Sequence, residues 1–248
     1  MNGKDNEFSF VVAINRKKVG ELNLLLYDLI HYLFPYANDD MEIKAWKNHY
    51  NQKTDVLIKI GNVIKRISIK MGSRNSVHEE SLKTFINFLI YLKIPKNIID
   101  KYLYFHFGDG TINGKGIKRV DSMYLREHYK KEIEEINKWF SNKSLGRKVC
   151  DRFIVKGLVY HDSIDALVYG TPEDFLWLKK DDIYKIMDSK MSLFSTSPHF
   201  GFLTLQPYSR CIDHNKKYEF ARYKVQLKWY SLFDDIIEYM NKSVIPSW

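Results

Sequence analysis

Residues 54–72, TDVLIKIGNVIKRISIKMG, constrain the fold of this chain more than any other stretch. Apolar and polar residues alternate on both sides of Gly61-Asn62, which is the pattern of two strands joined by a two-residue turn. In that register Val56 pairs with Ile67, and one face of the pair is almost entirely apolar. The segment therefore predicts an antiparallel hairpin that lies on a hydrophobic core.

The other face of the predicted hairpin gathers three polar side chains near its open end. Asp55 faces Ser68, and Lys70 lies one diagonal step away, within about 8 Å of Asp55. A slip of one residue would scatter the three groups. A carboxylate and an ammonium in one patch suit phosphodiester hydrolysis, because the carboxylate can hold Mg²⁺ and the ammonium can balance charge on the phosphate. We therefore take these three residues as candidate catalytic residues, with Asp55 as a metal ligand and Mg²⁺ as the expected cofactor.

This arrangement resembles the PD-(D/E)xK nuclease superfamily, which includes many type II restriction endonucleases. The family pattern is an Asp at the start of one strand and an acid-x-Lys at the end of the next. Here the Asp is Asp55, preceded by Thr54 rather than Pro, and the end of the pattern is Ile69-Lys70. Ser68 departs from the pattern, because the family has a second acid at that position.

The resemblance implies that the missing acid comes from elsewhere in the chain. Some restriction enzymes of the superfamily have a Ser-x-Lys and draw the carboxylate from the following helix. Here Glu79 and Glu80, in NSVHEE, lie at the start of such a predicted helix as expected catalytic residues and metal ligands. Which of the two faces the site stays open. The superfamily often has another metal-facing acid on its first helix, and Glu21 could take that role.

The predicted order of elements agrees with the resemblance across roughly residues 18–108. It matches the superfamily core with a helix at 21–34, strands ending in the hairpin, a helix at about 76–93 and a strand at 102–107. The expected fold class is therefore α/β (α+β), a restriction-endonuclease-like core whose mixed central sheet is flanked by helices. We expect this core at 1–112 and a C-terminal α+β extension, DNA-binding or dimerising, at 113–248, with the boundary in the glycine-rich segment 108–116.

Apolar spacing and turn residues predict the elements outside that segment. They are strands at 8–14, 153–159, 166–169, 200–205 and 218–230, and helices at 122–141, 181–188 and 232–240. A length of 248 residues fits one large domain or two small ones, and no internal repeat interrupts this order.

Charge favours a nucleic-acid partner. The chain has 39 Lys and Arg residues against 30 Asp and Glu, a net charge of +9, and such a chain attracts polyanions. Polar and basic residues directly follow Lys70, and basic residues interleave with aromatic ones near the C-terminus. The expected DNA-contacting residues are Arg74, Asn75, Ser76, His78, Lys216, Lys217, Arg222 and Lys224. The same pattern also fits a solvated surface, with Ser76 as an ordinary helix cap.

Two further features bear on the setting of the protein. No window has about 18 uncharged apolar residues, and the N-terminus lacks the apolar run of a signal peptide, so no membrane span is expected. Cys150 and Cys211 stand in no metal-like spacing. A reduced, cytoplasmic location follows as the expectation.

The sequence thus predicts a Mg²⁺-dependent DNA endonuclease of the restriction or phage-defence type, with DNA as its partner and a homodimer as one possible assembly. Two alternatives stay open. The first is a catalytically inactive nucleic-acid-binding module on the same core, since the second acid is lost at Ser68. The second is a nuclease directed at RNA.

Overall fold

A computed structural model of the protein describes residues 3–50, 52–72, 76–116, 118–158, 162–191, 195–206, 216 and 218–244. The chain divides into two compact units, each built from separate stretches of sequence. The first unit comprises 1–75, 150–186 and 231–248, and the second comprises 76–149 and 187–230.

Helices and strands are mixed along the whole described chain. In chain order they are α1 (Gly3–Ile14), α2 (Leu24–Leu33), β1 (Lys44–Lys47), β2 (Val56–Ile60), β3 (Val63–Lys70), β4 (Ser76–Ser81), α3 (Leu82–Tyr91), α4 (Lys96–Phe107), α5 (Ser122–His128), α6 (Lys130–Phe140), α7 (Lys143–Cys150), β5 (Ala166–Thr171), β6 (Asp174–Lys179), α8 (Lys180–Lys190), β7 (His199–Phe200), β8 (Leu203–Gln206), β9 (Lys224–Lys228) and α9 (Leu232–Val244). Short 3₁₀ helices lie at Val19–Glu21 and Glu219–Tyr223, and a π-helical turn lies at Asp151–Val155. None of the helices in the described parts of the chain has the length and apolar character needed to cross a lipid bilayer.

The first unit contains a mixed five-stranded sheet in the order β1-β2-β3-β5-β6. β3 runs parallel to β5, and every other neighbouring pair is antiparallel. One face of this sheet is covered by α1 and α2, because Phe10, Ile14, Leu26 and Ile30 from the helices form one buried cluster with Ile58 from the sheet. A mixed sheet flanked by helices confirms the expected fold class.

The second unit contains an antiparallel four-stranded sheet in the order β4-β9-β8-β7. Its core combines this sheet with helices, as in the stacked rings of Phe140 on α6 and Phe200 on β7, whose centroids are 4.1 Å apart. Within the helices, Tyr102 on α4 packs against Phe85 on α3 at 5.3 Å between ring centroids.

Two segments predicted as strands are helices. Residues 8–14 belong to α1, and residues 102–107 form the second half of α4. The aromatic residues of the second segment favoured a strand. However, Tyr102 and Phe105 are three positions apart and both are buried, so packing of one helix face outweighs the intrinsic preference.

Other predictions were wrong about where an element begins or breaks. The helix predicted at 76–93 begins only at Leu82, because β4 occupies the preceding residues. Its cap is Ser81, whose hydroxyl accepts a hydrogen bond from the backbone N–H of Thr84. The helix predicted at 122–141 is divided at Tyr129 into α5 and α6.

Differences of the same kind occur in the second half of the chain. The strand predicted at 218–230 contracts to β9, preceded by a 3₁₀ helix. The strand predicted at 153–159 begins inside the π-helical turn Asp151–Val155, and its last residue lies outside the described residues. The strand predicted at 200–205 is divided between β7 and β8, whereas α2, α8, α9 and β5 overlap their predictions.

The two units do not follow the predicted boundary near residue 112. Strands β5 and β6, from the second half of the chain, complete the sheet that β1, β2 and β3 begin. The backbone N–H of Arg66 on β3 donates a hydrogen bond to the carboxylate of Asp165. Asp165 lies directly before β5 and 99 residues further along the chain. A glycine-rich turn marks a local reversal of the chain, whereas a long parallel crossover leaves no such local signal.

Candidate active site

The β2–β3 hairpin has the register expected from its sequence. Val56 pairs with Ile67, Leu57 pairs with Arg66, and Gly61 begins the turn at φ +57°. Burial alternates along β2, with its odd-numbered residues more exposed than its even-numbered ones. The tight turn and this alternation together fix which side chains share a face.

Asp55 accepts three hydrogen bonds at the open end of the hairpin, all on Oδ2. The donors are the Ser68 hydroxyl at 2.9 Å, the backbone N–H of Ile69 at 2.6 Å and Nζ of Lys70 at 3.2 Å. Lys70 Nζ also donates to Ser68 Oγ at 2.9 Å and to the carbonyl oxygen of Ile69 at 3.0 Å. The predicted convergence of Asp55, Ser68 and Lys70 is therefore confirmed.

The cluster is half-buried and charged. The side chains of Asp55 and Lys70 are each 20% exposed, while Ser68 is 2% exposed. Charges in such a position are screened less than surface charges, so the ion pair is stronger than an exposed one. Among the described residues nothing donates a hydrogen bond to Oδ1 of Asp55, which leaves this oxygen available to a ligand.

Strand β5 supports the cluster from the neighbouring position in the sheet. Asp165, directly before β5, accepts hydrogen bonds from Lys65 Nζ at 3.0 Å and from the backbone N–H of Arg66 at 2.8 Å. At the other end, Tyr169 pairs with Lys70, and its hydroxyl donates to the carbonyl oxygen of Gly72 at 3.2 Å. The sequence alone did not identify these supports, because they require the parallel pairing of β3 with β5.

The three additional acids have other neighbours. Glu21 is exposed, and its carboxylate accepts a hydrogen bond from the backbone N–H of Lys18 at 2.9 Å, which caps a 3₁₀ helix. Glu79 and Glu80 lie on strand β4 of the second unit rather than at a helix start. Glu79 forms an ion pair with Lys224 at 2.6 Å, and the side chain of Glu80 is 1% exposed beside His78. A contribution of either acid to the Asp55 site stays a prediction.

The metal-ligating capacity of the site rests on Asp55. Within the described ranges there is no group of three or more His, Cys, Asp or Glu side chains placed to hold a metal ion. Among the described residues, the cluster of Asp55, Ser68 and Lys70 therefore offers one carboxylate.

Two of the residues expected to contact DNA are buried. The guanidinium of Arg222 is 3% exposed and forms ion pairs with Asp109 at 2.7 Å and with Glu219 at 3.0 Å. Asp109 also accepts hydrogen bonds from backbone N–H groups of the glycine-rich segment, so Arg222 stabilises that turn and is not accessible to DNA. His78 is 8% exposed and lies beside Glu80, which makes it equally unsuited to contact DNA.

The other expected DNA contacts divide into described and undescribed residues. Ser76 begins β4, and its hydroxyl accepts a hydrogen bond from the Gln226 amide at 2.9 Å, so it is not a helix cap. Lys224 is half-exposed in its ion pair, and Lys216 is exposed. The remaining three, Arg74, Asn75 and Lys217, lie outside the described residues.

Comparison with known proteins gives a structural match only. No protein-family model matches the sequence, and no curated protein matches it. The fold is similar to that of restriction endonuclease MspI, solved in complex with its cognate DNA, with a TM-score of 0.50 and 14% sequence identity. The similarity covers 89% of this chain and 87% of that one. The chain therefore has a restriction-endonuclease-like fold.

Proposed function

We propose that this protein is a Mg²⁺-dependent endonuclease that hydrolyses phosphodiester bonds in DNA, of the restriction or phage-defence type. One observation carries the proposal. Asp55 receives a hydroxyl, a backbone N–H and an ammonium on one carboxylate oxygen, while its other oxygen receives no donor from the described residues. The similarity of the fold to a restriction endonuclease supports the proposal without identifying the substrate.

The donor set around Asp55 fits Mg²⁺. This ion is usually bound through one or two carboxylates, keeps several waters and completes its shell with substrate phosphate oxygens. Oδ1 of Asp55 can supply the carboxylate oxygen, because the three donors are all on Oδ2. When bound there, the ion would supply the Lewis acidity that polarises a phosphate and activates water.

The residues of the cluster have separate tasks in this proposal. The Lys70 ammonium, held at 2.9 Å from Ser68 Oγ, balances the negative charge that develops on the phosphate in the transition state. Ser68 accepts from Lys70 and donates to Asp55, so its hydroxyl fixes the separation of the two charged groups. All three N–H donors of Lys70 are occupied, and binding of a phosphate would replace one of these hydrogen bonds.

The test is cleavage of supercoiled plasmid DNA in the presence of Mg²⁺. We expect the parent protein to cut, and we expect Asp55→Asn and Lys70→Ala each to lower the rate by at least about 10²-fold, the typical effect of removing one group that stabilises charge in a transition state. A matched control is the exposed pair Lys18–Asp40, at 3.0 Å in the same unit, whose variants Lys18→Ala and Asp40→Asn should cut normally. Full activity of either site variant, with its fold intact, would end the assignment.

A second candidate function follows from Ser68. Because a hydroxyl stands where the family has an acid, and the described residues offer no group of three metal ligands, the core could bind nucleic acid without cutting it. In that case the protein binds DNA in a salt-sensitive way but cuts with neither Mg²⁺ nor Mn²⁺. The plasmid assay, run with both metals, separates the two functions.

A further inference from the structure

One face of the first sheet carries exposed and half-buried side chains next to the candidate active site. This open face consists of Lys44 and Trp46 on β1, Leu57 and Lys59 on β2, and Ile64 and Arg66 on β3, which the strand pairing places in adjacent rows. Trp46 is 38% exposed and Ile64 is 37% exposed, whereas the neighbouring residues Ala45 and Ile58 face the core at 3% and 0%.

Two lysines stand directly opposite one another on the open face. Lys44 pairs with Lys59 across β1 and β2, so their Cβ atoms are about 4.5–5.5 Å apart. Like charges in this position destabilise a sheet. The exposed residue Glu42, two positions before Lys44, forms no ion pair with either lysine.

The other lysines of the same three strands are neutralised. Lys47 pairs with Glu7, Lys65 pairs with Asp165 and Lys70 pairs with Asp55. Lys44 and Lys59 have no carboxylate partner among the residues that the structure describes. The repulsion between them is therefore not relieved within this part of the chain, and an anion from outside would relieve it.

The lysine pair lies on the same face as the catalytic cluster. Asp55 directly precedes β2, and Lys59 is four positions further along, so alternation places both side chains on one side of the sheet. The separation along the strand is about 13 Å. Phosphates of one DNA strand are spaced by about 3.4 Å along the duplex axis, so this distance spans about four base pairs.

We infer that the open face is a DNA-binding surface, on which Lys44 and Lys59 contact phosphates about four base pairs from the scissile bond. The exposed ring of Trp46, between the lysine pair and Asp55, packs against the sugar or base of the same strand. The inference rests on the proposed function, which places the scissile phosphate at Asp55.

A second copy of this chain fits the open face less well than DNA. In a two-fold symmetric dimer the same patch occupies both sides of the interface, so the lysine pairs of the two copies would lie near one another. Each copy also carries a net charge of +9. An interface of this kind would add repulsion, whereas phosphates remove it.

The substitution Lys59→Glu tests the inference, because it should have opposite effects on stability and on binding. In the free protein Glu would face Lys44 and replace a repulsion with an attraction, so Tm should rise by about 1–3 °C. Binding of a fluorescently labelled 30-base-pair duplex should weaken, and the slope of log K against log salt should become shallower by about 0.9 for the lost phosphate contact. Binding is measured in the Asp55→Asn background, so that no DNA is cut.

Lys4→Glu is the matched control. Lys4 is an exposed lysine on α1, which packs on the opposite face of the sheet, and its substitution changes the net charge by the same amount. We expect it to leave the affinity for DNA and the salt slope near those of the parent.

Each result decides the question. A Lys59→Glu protein that keeps the parent affinity and salt slope overturns the inference. A changed molecular mass in sedimentation, with unchanged DNA binding, also overturns it, because that result would indicate that the open face is a dimer surface. If the parent protein binds and cuts DNA but the variant behaves like the parent, only this inference fails. If the parent binds no DNA, the proposed function fails and the inference fails with it.

Discussion

Ser68 stands where the nuclease superfamily that the sequence resembles has its second acid. Its hydroxyl links Asp55 to Lys70 without adding a charge, so the carboxylate and the ammonium balance each other within the cluster. These three residues were predictable because a tight turn and a period of two fix them within sixteen positions of sequence. A second acid was not predictable in the same way, because any carboxylate that joins this cluster would have to come from a distant segment of the chain.

A second residue, His106, should make stability depend on pH. Its imidazole Nε2 lies 2.8 Å from the carbonyl oxygen of Arg222, and burial lowers the pKa of His106 to about 4 from its ordinary 6.5. The unfolded chain therefore takes up a proton near pH 6.5 and the folded chain only near pH 4. The free energy of unfolding should fall as pH decreases through this window, by up to about 1.4 kcal/mol per pH unit.

Urea unfolding at pH 7 and pH 4.5 checks this expectation. His106→Gln should be less stable than the parent at pH 7, but should lose less of its remaining stability between the two pH values. The exposed residue His128 provides the control, and His128→Gln should follow the parent curve. An equally steep loss in His106→Gln would show that another group carries the pH dependence.

At the scale of elements, local patterns predicted local structure. The hairpin, α2, α8 and α9 were predicted because each has its own apolar period and its own turn or cap. Residues 102–107 and β4 were misassigned because packing decided their conformation. The pairing of β3 with β5 left no signal in either strand, since both read as ordinary buried strands.

In the turn of the β2–β3 hairpin, the backbone conformation depends on the residue type at position 61. Gly61 has φ +57° and a Cβ placed there would meet nothing within 4 Å, so Gly61→Ala introduces backbone strain without a clash. We expect a loss of about 1–2 kcal/mol in the free energy of unfolding, the cost of a left-handed conformation for an L-residue. Gly3→Ala, also free of contacts but at the start of α1, should cause no loss in the same urea titration. Equal stability of the two variants would argue against strain at the turn.

At the scale of the whole molecule, the two units are interleaved in sequence. The first unit is assembled from three separate stretches and the second from two, so neither is a continuous segment. The expected division into 1–112 and 113–248 came from a glycine-rich turn, and such a turn reports local geometry only. Contacts between distant stretches determine the units, and a single sequence does not display those contacts.

A fragment ending at residue 112 should therefore not fold on its own. It would contain β1, β2 and β3 but lack β5 and β6, which leaves β3 without its parallel partner and the sheet without two of its five strands. We expect the fragment to unfold without a cooperative transition in circular dichroism, whereas the full chain should melt cooperatively. A cooperative melt of the fragment would show that the first half is a domain after all.

The parallel pairing of β3 with β5 also sets an order of events during synthesis. Arg66 and Asp165 are 99 residues apart, so the ribosome needs roughly 5–20 s to make the partner after β3 has emerged. Throughout that interval one edge of β3 has open backbone donors and acceptors, the kind of edge that recruits other strands into aggregates. Slowing translation between these two strands should therefore lower the yield of native protein, even though no residue of the finished molecule has changed.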